Sequence, residues 1–340
     1  MSKAQSTQLK GIAILMMLFL HLFNHWNPGE YTPWFFIGER PLVYILSRAC
    51  NPVGIFLMLS GYGLHYSYTH HSLTTKGQIK RLLRIYIYYW LILLIFVTVG
   101  HFVNSERYPG SLWDILLNFS SLSNSYNSET WFLFPYALLS LTSPFIFRLI
   151  DKCGVKWTLF ASIVLYFISA YTISRYIAPA KAYHTWYNFV LTYFDVQVSF
   201  VIGGAFHYYT NKGKGSCTFL ENKPWIAVTL LLLTFAINCS ITSSALSPLF
   251  EFIYVFMLLH LSFSRVVTYI LEHLGKQSMV MWLTHSFFCY HLFHDSIYGF
   301  KYPLLIFLVL LAVSYSVSYP ITAIANQVIC RIPFFQKNKQ

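Results

Sequence analysis

Histidines and basic residues inside apolar stretches are where chemistry is to be sought first, because an ionisable side chain at membrane depth is costly and marks a functional position by default. Lys10 and His21 stand eleven residues apart. On a helix at about 100° per residue they fall within roughly 20° of one face and about 16 Å apart along the axis. His25 follows one turn further along that face. An imidazole that titrates near neutrality suits a general base that takes a proton from a hydroxyl. An interior histidine equally serves as a hydrogen-bonding group between helices, and the spacing leaves both roles open. The His21/His25 pair also has a metal-binding spacing, but no glutamate completes an HExxH motif, so no metal site is expected.

A second constellation is Lys80-Arg81-Leu82-Leu83-Arg84, placed at the opening of the third apolar segment. Arg81 and Arg84 are neighbours on one helix face and can clamp phosphates with planar, multidentate hydrogen bonds. They can equally anchor the helix among lipid headgroups. The run Asn51-Pro52-Val53-Gly54 to Ser60-Gly61-Tyr62-Gly63 reads as a close-packing helix face, with Ser60 available for a bond across helices. It is not a phosphate loop, because no strand precedes it and no Gly-Lys-Ser/Thr follows. Glu129-Thr130-Trp131-Phe132-Leu133 opens the fourth segment, where Trp131 can line a sugar site or belong to the aromatic belt. Asp195 and Glu251 are expected to face the bundle interior. Leu274-Gly275-Lys276-Gln277-Ser278, followed by Trp282, Leu283 and His285, brings another imidazole into the ninth segment.

The elements that carry these residues follow from composition. Of the 340 residues, 56% are hydrophobic and only 10% charged, against roughly a quarter charged in soluble domains. Aromatics make up 19%, and Tyr and Trp favour the membrane–water boundary. Ten segments are long enough to cross a bilayer: 9–26, 42–66, 85–103, 130–150, 157–177, 187–209, 224–241, 246–263, 277–295 and 302–326. The fold class expected is therefore an all-α polytopic membrane helix bundle. No linker or repeat divides the chain, so one membrane domain over 1–340 is expected.

A net charge of +12 could point to nucleic acid, but topology explains it better. With the N-terminus in the cytoplasm, 17 of the 23 Lys and Arg face that side and six the other: Arg40, Arg48, Arg107, Arg175, Lys181 and Lys301. An even number of spans, both termini cytoplasmic and a multi-pass place in the inner membrane follow. The first segment ends in His21-Leu22-Phe23-Asn24-His25 rather than a small-residue cleavage site, so it is expected to be retained. The six cysteines, Cys50, Cys153, Cys217, Cys239, Cys289 and Cys330, are scattered singly, without a disulfide or zinc pattern.

Taken in order, these residues resemble the acyltransferase-3 family of bacterial integral-membrane acyltransferases. Lys10 through His21 looks like the family's opening motif, a basic residue, ten positions and a histidine. Pro52-Val53-Gly54-Ile55-Phe56 to Ser60-Gly61-Tyr62 is similar to its apolar glycine-rich helix. Arg81-Leu82-Leu83-Arg84-Ile85-Tyr86, ending at Trp90, resembles its Arg-x-x-Arg motif. Trp131-Phe132-Leu133 and Leu274 to Ser278 with Trp282-Leu283-Thr284-His285 are weaker matches. The likeness runs from about residue 8 to 325.

The resemblance implies transfer of an acyl group, expected to be acetyl, from cytoplasmic acyl-CoA as co-substrate to a hydroxyl of a cell-surface or lipid-linked glycan. His21 would be the catalytic histidine and Lys10 its basic partner. Arg81 and Arg84 would hold the phosphate-bearing part of acetyl-CoA. Ser60, His25, Trp131 and His285 are accessory candidates, membrane lipid is the surroundings, and neither a metal nor nucleic acid is expected. Two departures stand out: Lys10 where relatives often have Arg, and Trp282 where they often have Tyr. No soluble hydrolase-like domain is expected after Gln340. Direct transfer and a covalent acyl-histidine both fit. The rival from another class is a transporter or flippase of a glycan or lipid-linked precursor without chemistry, since transport paths also use intramembrane ionisable groups; inverted repeats would favour it, and none is evident.

Overall fold

A computed structural model describes residues 1–183, 185–214, 218–221, 223–241 and 243–336. Cys217 and the basic residues Lys337 and Lys339 lie outside these. The main helices are α1 (Lys3–Phe23), α2 (Pro52–Thr69), α3 (Thr75–Val103), α4 (Leu133–Cys153), α5 (Val155–Thr172), α6 (Trp186–Asn211), α7 (Pro224–Ser240), α8 (Ser247–Leu259), α9 (Arg265–Ser286) and α10 (Pro303–Arg331). The only β-ladder among the described residues is a two-stranded turn that pairs Phe36 with Pro41 and Ile37 with Arg40. The chain is nearly all-α, as expected.

Among the described residues, seven helical stretches are long and apolar enough to cross a membrane: Lys3–Phe23, Leu42–Thr69, Thr75–Val103, Ser128–Cys153, Val155–Ala180, Trp186–Asn211 and Pro303–Arg331. The other three of the ten expected segments fall on shorter or more polar helices. α7 has 17 residues and α8 has 13. α9 carries Arg265, Glu272, His273 and Lys276 in its first half.

Two helix ends that carry expected site residues differ from the sequence expectation. α3 begins at Thr75 rather than near residue 85, because the Thr74 side chain caps it, accepting from the Gly77 N–H at 3.1 Å. Lys80, Arg81 and Arg84 therefore lie within the helix rather than at its entrance. α1 stops at Phe23, so His25 is not one turn further along the helix as expected. The sequence Asn24-His25-Trp26-Asn27-Pro28-Gly29 leaves the helix there, and the His25 Nδ1 pairs with the adjacent Asn24 Oδ1 at 2.8 Å.

The chain forms two compact units. The first comprises Met1–Met17, Ile45–Leu73 and Pro135–Lys276. Its helices touch backbone to backbone. A Cβ on Gly61 would lie 1.9 Å from the Phe200 carbonyl oxygen, and one on Gly203 2.0 Å from that of Met58, so α2 and α6 cross where side chains cannot fit. The same holds for α1 and α9, where a Cβ on Gly11 would meet the Leu271 oxygen at 2.2 Å and one on Gly275 the Thr7 oxygen at 1.9 Å. Lys10-Gly11 and Gly275-Lys276 thus sit at a tight helix crossing. Phe147, Phe200, Leu139 and Val201 fill the core beside the α2–α6 crossing. Glu251 is buried, accepts from the Ser199 hydroxyl at 2.7 Å and lies against Gly54; Asp195 is half-buried.

The second unit comprises Leu18–Tyr44, Thr74–Phe134 and the described residues from Gln277 onwards. It holds the C-terminal turn of α1, all of α3 and α10, and the second half of α9. The last carbonyls of a helix lack intrahelical partners. Here those of His21 and Leu22 accept from the Tyr290 and Tyr298 hydroxyls, the latter at 2.8 Å. The end of α1 is therefore fixed by side chains from the segment that follows α9. Beyond Ser286 that segment makes a wide π-turn over Phe287–His291, closed by the Leu292 N–H to the Phe287 carbonyl at 2.9 Å. It replaces the continuous helix expected to residue 295.

Candidate active site

The second unit contains an imidazole–carboxylate pair. His21 Nε2 lies 3.1 Å from Glu129 Oε2, with only 12% of the His21 side chain and 14% of the Glu129 side chain exposed. The pair is enclosed yet still reachable. A carboxylate oxygen accepts, so the Nε2–H of neutral His21 donates to it and Nδ1 keeps the lone pair. Tyr290 lies 3.3 Å from that Nδ1, but its single hydrogen goes to the His21 carbonyl. The Tyr290 hydrogen therefore does not occupy Nδ1.

Glu129 is held on every side. It belongs to a short 3₁₀ turn, Ser128–Thr130, capped by Asn127, whose Oδ1 accepts from the Glu129 N–H at 3.1 Å. The same Oδ1 accepts from the Ser286 hydroxyl at 2.7 Å, and Asn127 Nδ2 donates to the Leu283 carbonyl at 2.8 Å. Asn127 thus ties the glutamate turn to the end of α9. Trp282 Nε1 donates to the Glu129 carbonyl at 2.9 Å and its indole stacks on Phe132 with centroids 4.3 Å apart. Ser128 donates to Glu129 Oε1 at 3.1 Å and faces His291 Nε2 at 3.5 Å. A carboxylate with this many fixed contacts holds the imidazole in one orientation, as a general base requires.

His285 packs against His21, ring centroids 5.0 Å apart at 40°. Its Nδ1 faces the Trp282 carbonyl at 2.7 Å and the Met281 carbonyl at 3.2 Å. His25 lies outside this pair. Its Nε2 is 3.4 Å from Glu30 Oε1, and His294 Nε2 is 3.1 Å from the same oxygen. Among the described residues no cluster of three or more His, Cys, Asp and Glu is arranged to hold a metal ion.

The other expected residues are placed as follows. Lys10 is half-buried on α1, in the first unit, eleven residues before His21. Arg81 is half-buried and Arg84 exposed on α3. The Arg84 guanidinium lies over the Phe335 ring at 5.9 Å and Lys80 over Phe334 at 5.3 Å, both aromatics from the turn after α10. Ser60 bonds across helices to the Tyr136 hydroxyl at 3.2 Å. Trp131 turns outwards, 40% exposed, while its neighbours Glu129 and Phe132 turn inwards. Glu129, Asn127 and Tyr290 are the residues that sequence reasoning missed as site members. The signal for Glu129 was present, an acidic residue heading an apolar aromatic run; Asn127 and Tyr290 gave none.

Among the described residues, seven helical stretches are long and apolar enough to cross a membrane, and the second unit encloses an oriented imidazole–carboxylate pair. The acyltransferase-3 family model, described as an acyltransferase domain, matches residues 5–323. The chain belongs to this family and is a multi-pass membrane acyltransferase. No curated protein and no solved structure matches it significantly.

Proposed function

We propose that the protein moves an acyl group, acetyl in the simplest case, from cytoplasmic acyl-CoA to a hydroxyl of a cell-surface or lipid-linked glycan, with His21 as the general base. The observation that carries this reading is the His21–Glu129 pair in a chain of the acyltransferase-3 family. Glu129 fixes the Nε2–H and Nδ1 takes the proton of the acceptor hydroxyl as its oxygen attacks the thioester carbonyl. The new C–O bond forms, the C–S bond breaks, and the proton passes from Nδ1 to the departing thiolate, which leaves as free CoA. Glu129 stabilises the imidazolium that exists in between, the role a carboxylate plays in related acyl-transfer dyads and triads.

Arg81 and Arg84 grip the donor's phosphates, Lys10 supplies a further cation, and outward-facing Trp131 offers an aromatic surface to the acceptor sugar. The excess of Lys and Arg, 17 against six, supports about ten crossings of a bacterial inner membrane with both termini in the cytoplasm, and the family match supports a single acyltransferase domain spanning both units. The test is consumption of radiolabelled acetyl-CoA by the full chain in nanodiscs. Wild type should release free CoA, and Arg81→Ala/Arg84→Ala should raise KM for acetyl-CoA about tenfold while changing kcat little, as expected for lost charge-assisted bonds to phosphate. Folded wild type that neither binds nor consumes acetyl-CoA or a longer acyl-CoA would refute the reading.

A further inference from the structure

His285 is fully buried. Its Nδ1 faces two backbone carbonyls, which only accept, so Nδ1 carries the hydrogen and Nε2 of the neutral ring is a pure acceptor. That Nε2 is buried and has no hydrogen-bond partner among the described residues. The tether to its own helix turns the opposite edge of the ring away from that backbone, and the ring lies against His21.

Nearby protein hydrogens are already committed. The Thr284 hydroxyl donates to the Val280 carbonyl at 2.9 Å and that of Ser286 to Asn127 Oδ1. Asn127 Nδ2 donates to the Leu283 carbonyl, Trp282 Nε1 to the Glu129 carbonyl, and Tyr290 to the His21 carbonyl. A buried acceptor left unmatched lowers stability, whereas a ligand that supplies the missing donor gains that contact and an analogue without it is rejected.

We infer that His285 Nε2 is a specificity-determining contact, accepting a hydrogen bond from an N–H or O–H group of a bound substrate beside the reacting atoms. The inference rests on the acyltransferase reading above. Two sources carry that chemistry: an amide of the donor's pantetheine arm, or an acceptor hydroxyl next to the one acylated. If the acceptor supplies it, two neighbouring hydroxyls engage two imidazoles, one giving its proton to His21 and the other its hydrogen bond to His285. The acceptor is then a vicinal diol rather than an isolated alcohol.

The two nitrogens can be separated by substitution. His285→Asn keeps an amide where Nδ1 stands, and with it the contact to the Trp282 carbonyl, but deletes Nε2. His285→Gln keeps a polar atom near Nε2. The experiment measures acetyl-CoA consumption and acetyl transfer to cis-1,2-cyclohexanediol and to cyclohexanol by full-length protein in nanodiscs. His285→Asn should either raise KM for acetyl-CoA about tenfold, which assigns the bond to pantetheine, or lower the diol-to-monoalcohol transfer ratio about tenfold, which assigns it to the acceptor. His285→Gln should recover most of the loss. If His285→Asn does not fold, His285→Phe serves in its place. A folded variant lacking Nε2 that moves neither quantity, or a glutamine variant no better than asparagine, would overturn the inference and leave a water-filled or structural histidine. Wild type that fails to consume acetyl-CoA would overturn the acyltransferase reading first, and is told apart because no variant is needed to see it.

Discussion

Among the described residues, two close histidine pairs have almost the same ring separation and different chemistry. In the first unit, His65 on α2 and His207 on α6 stand 4.9 Å apart, and their Nδ1 atoms share one hydrogen at 2.7 Å. Their surroundings are aromatic: His65 is edge-on to Phe147 and His207 to Tyr62. In the second unit, His21 and His285 are 5.0 Å apart. Each ring is tied outwards instead, His21 to Glu129 and His285 to its own helix backbone. Two imidazoles bonded to each other through Nδ1 serve as a polar rivet between helices, with His65 Nε2 left buried and without a partner among the described residues. Under the proposed mechanism, the pair tied outwards offers one nitrogen apiece to a substrate beside the Glu129 carboxylate. What matters is not histidine burial but the direction in which the hydrogen bonds point.

The contrast can be broken by mutation. The largest effect should fall on His21→Ala, with a loss of acetyl transfer of about 10³-fold in protein that still inserts and folds, the middle of the range for removing a general base. Glu129→Gln should cost about a hundredfold in kcat with little change in KM for acetyl-CoA, because it disorients the imidazole without touching the donor. The smallest effect on turnover should come from the rivet. His207→Phe removes the partner of His65 Nδ1, whose ring already has an unmatched Nε2, and should cost about 1–3 kcal/mol of stability, read as a lowered thermal midpoint, with turnover of the surviving folded protein within about twofold of wild type. A loss of turnover in His207→Phe comparable to that of His21→Ala would erase the distinction between the two pairs.

Much of this was legible in the sequence, and the rest fails for identifiable reasons. The Lys10–His21 spacing and the apolar segments follow from helix periodicity and hydropathy, which are local properties. The Gly11 and Gly275 positions were visible as motif members, although their contact, α1 backbone against α9 backbone, is tertiary. Glu129 reads as the polar head of an aromatic belt, and only the fold carries it 3.1 Å from a histidine more than a hundred residues earlier. Tyr290 was hidden by the π-turn at Phe287–His291: an extra residue in the turn rotates every later side chain away from where a continuous 3.6-residue period puts it. The helical placement of His25 fails the other way, because the periodic face stops at Phe23, before a stretch that ends in Pro28-Gly29.

The most direct test of the central claim, that His21 and Glu129 act as one catalytic unit, is a double-mutant cycle on acetyl-CoA turnover with His21→Ala, Glu129→Gln and the double variant, all checked for folding. Groups that work through each other are non-additive, so the double variant should be no slower than His21→Ala alone. Two losses that multiply, or a His21→Ala protein that keeps its turnover, would contradict the account.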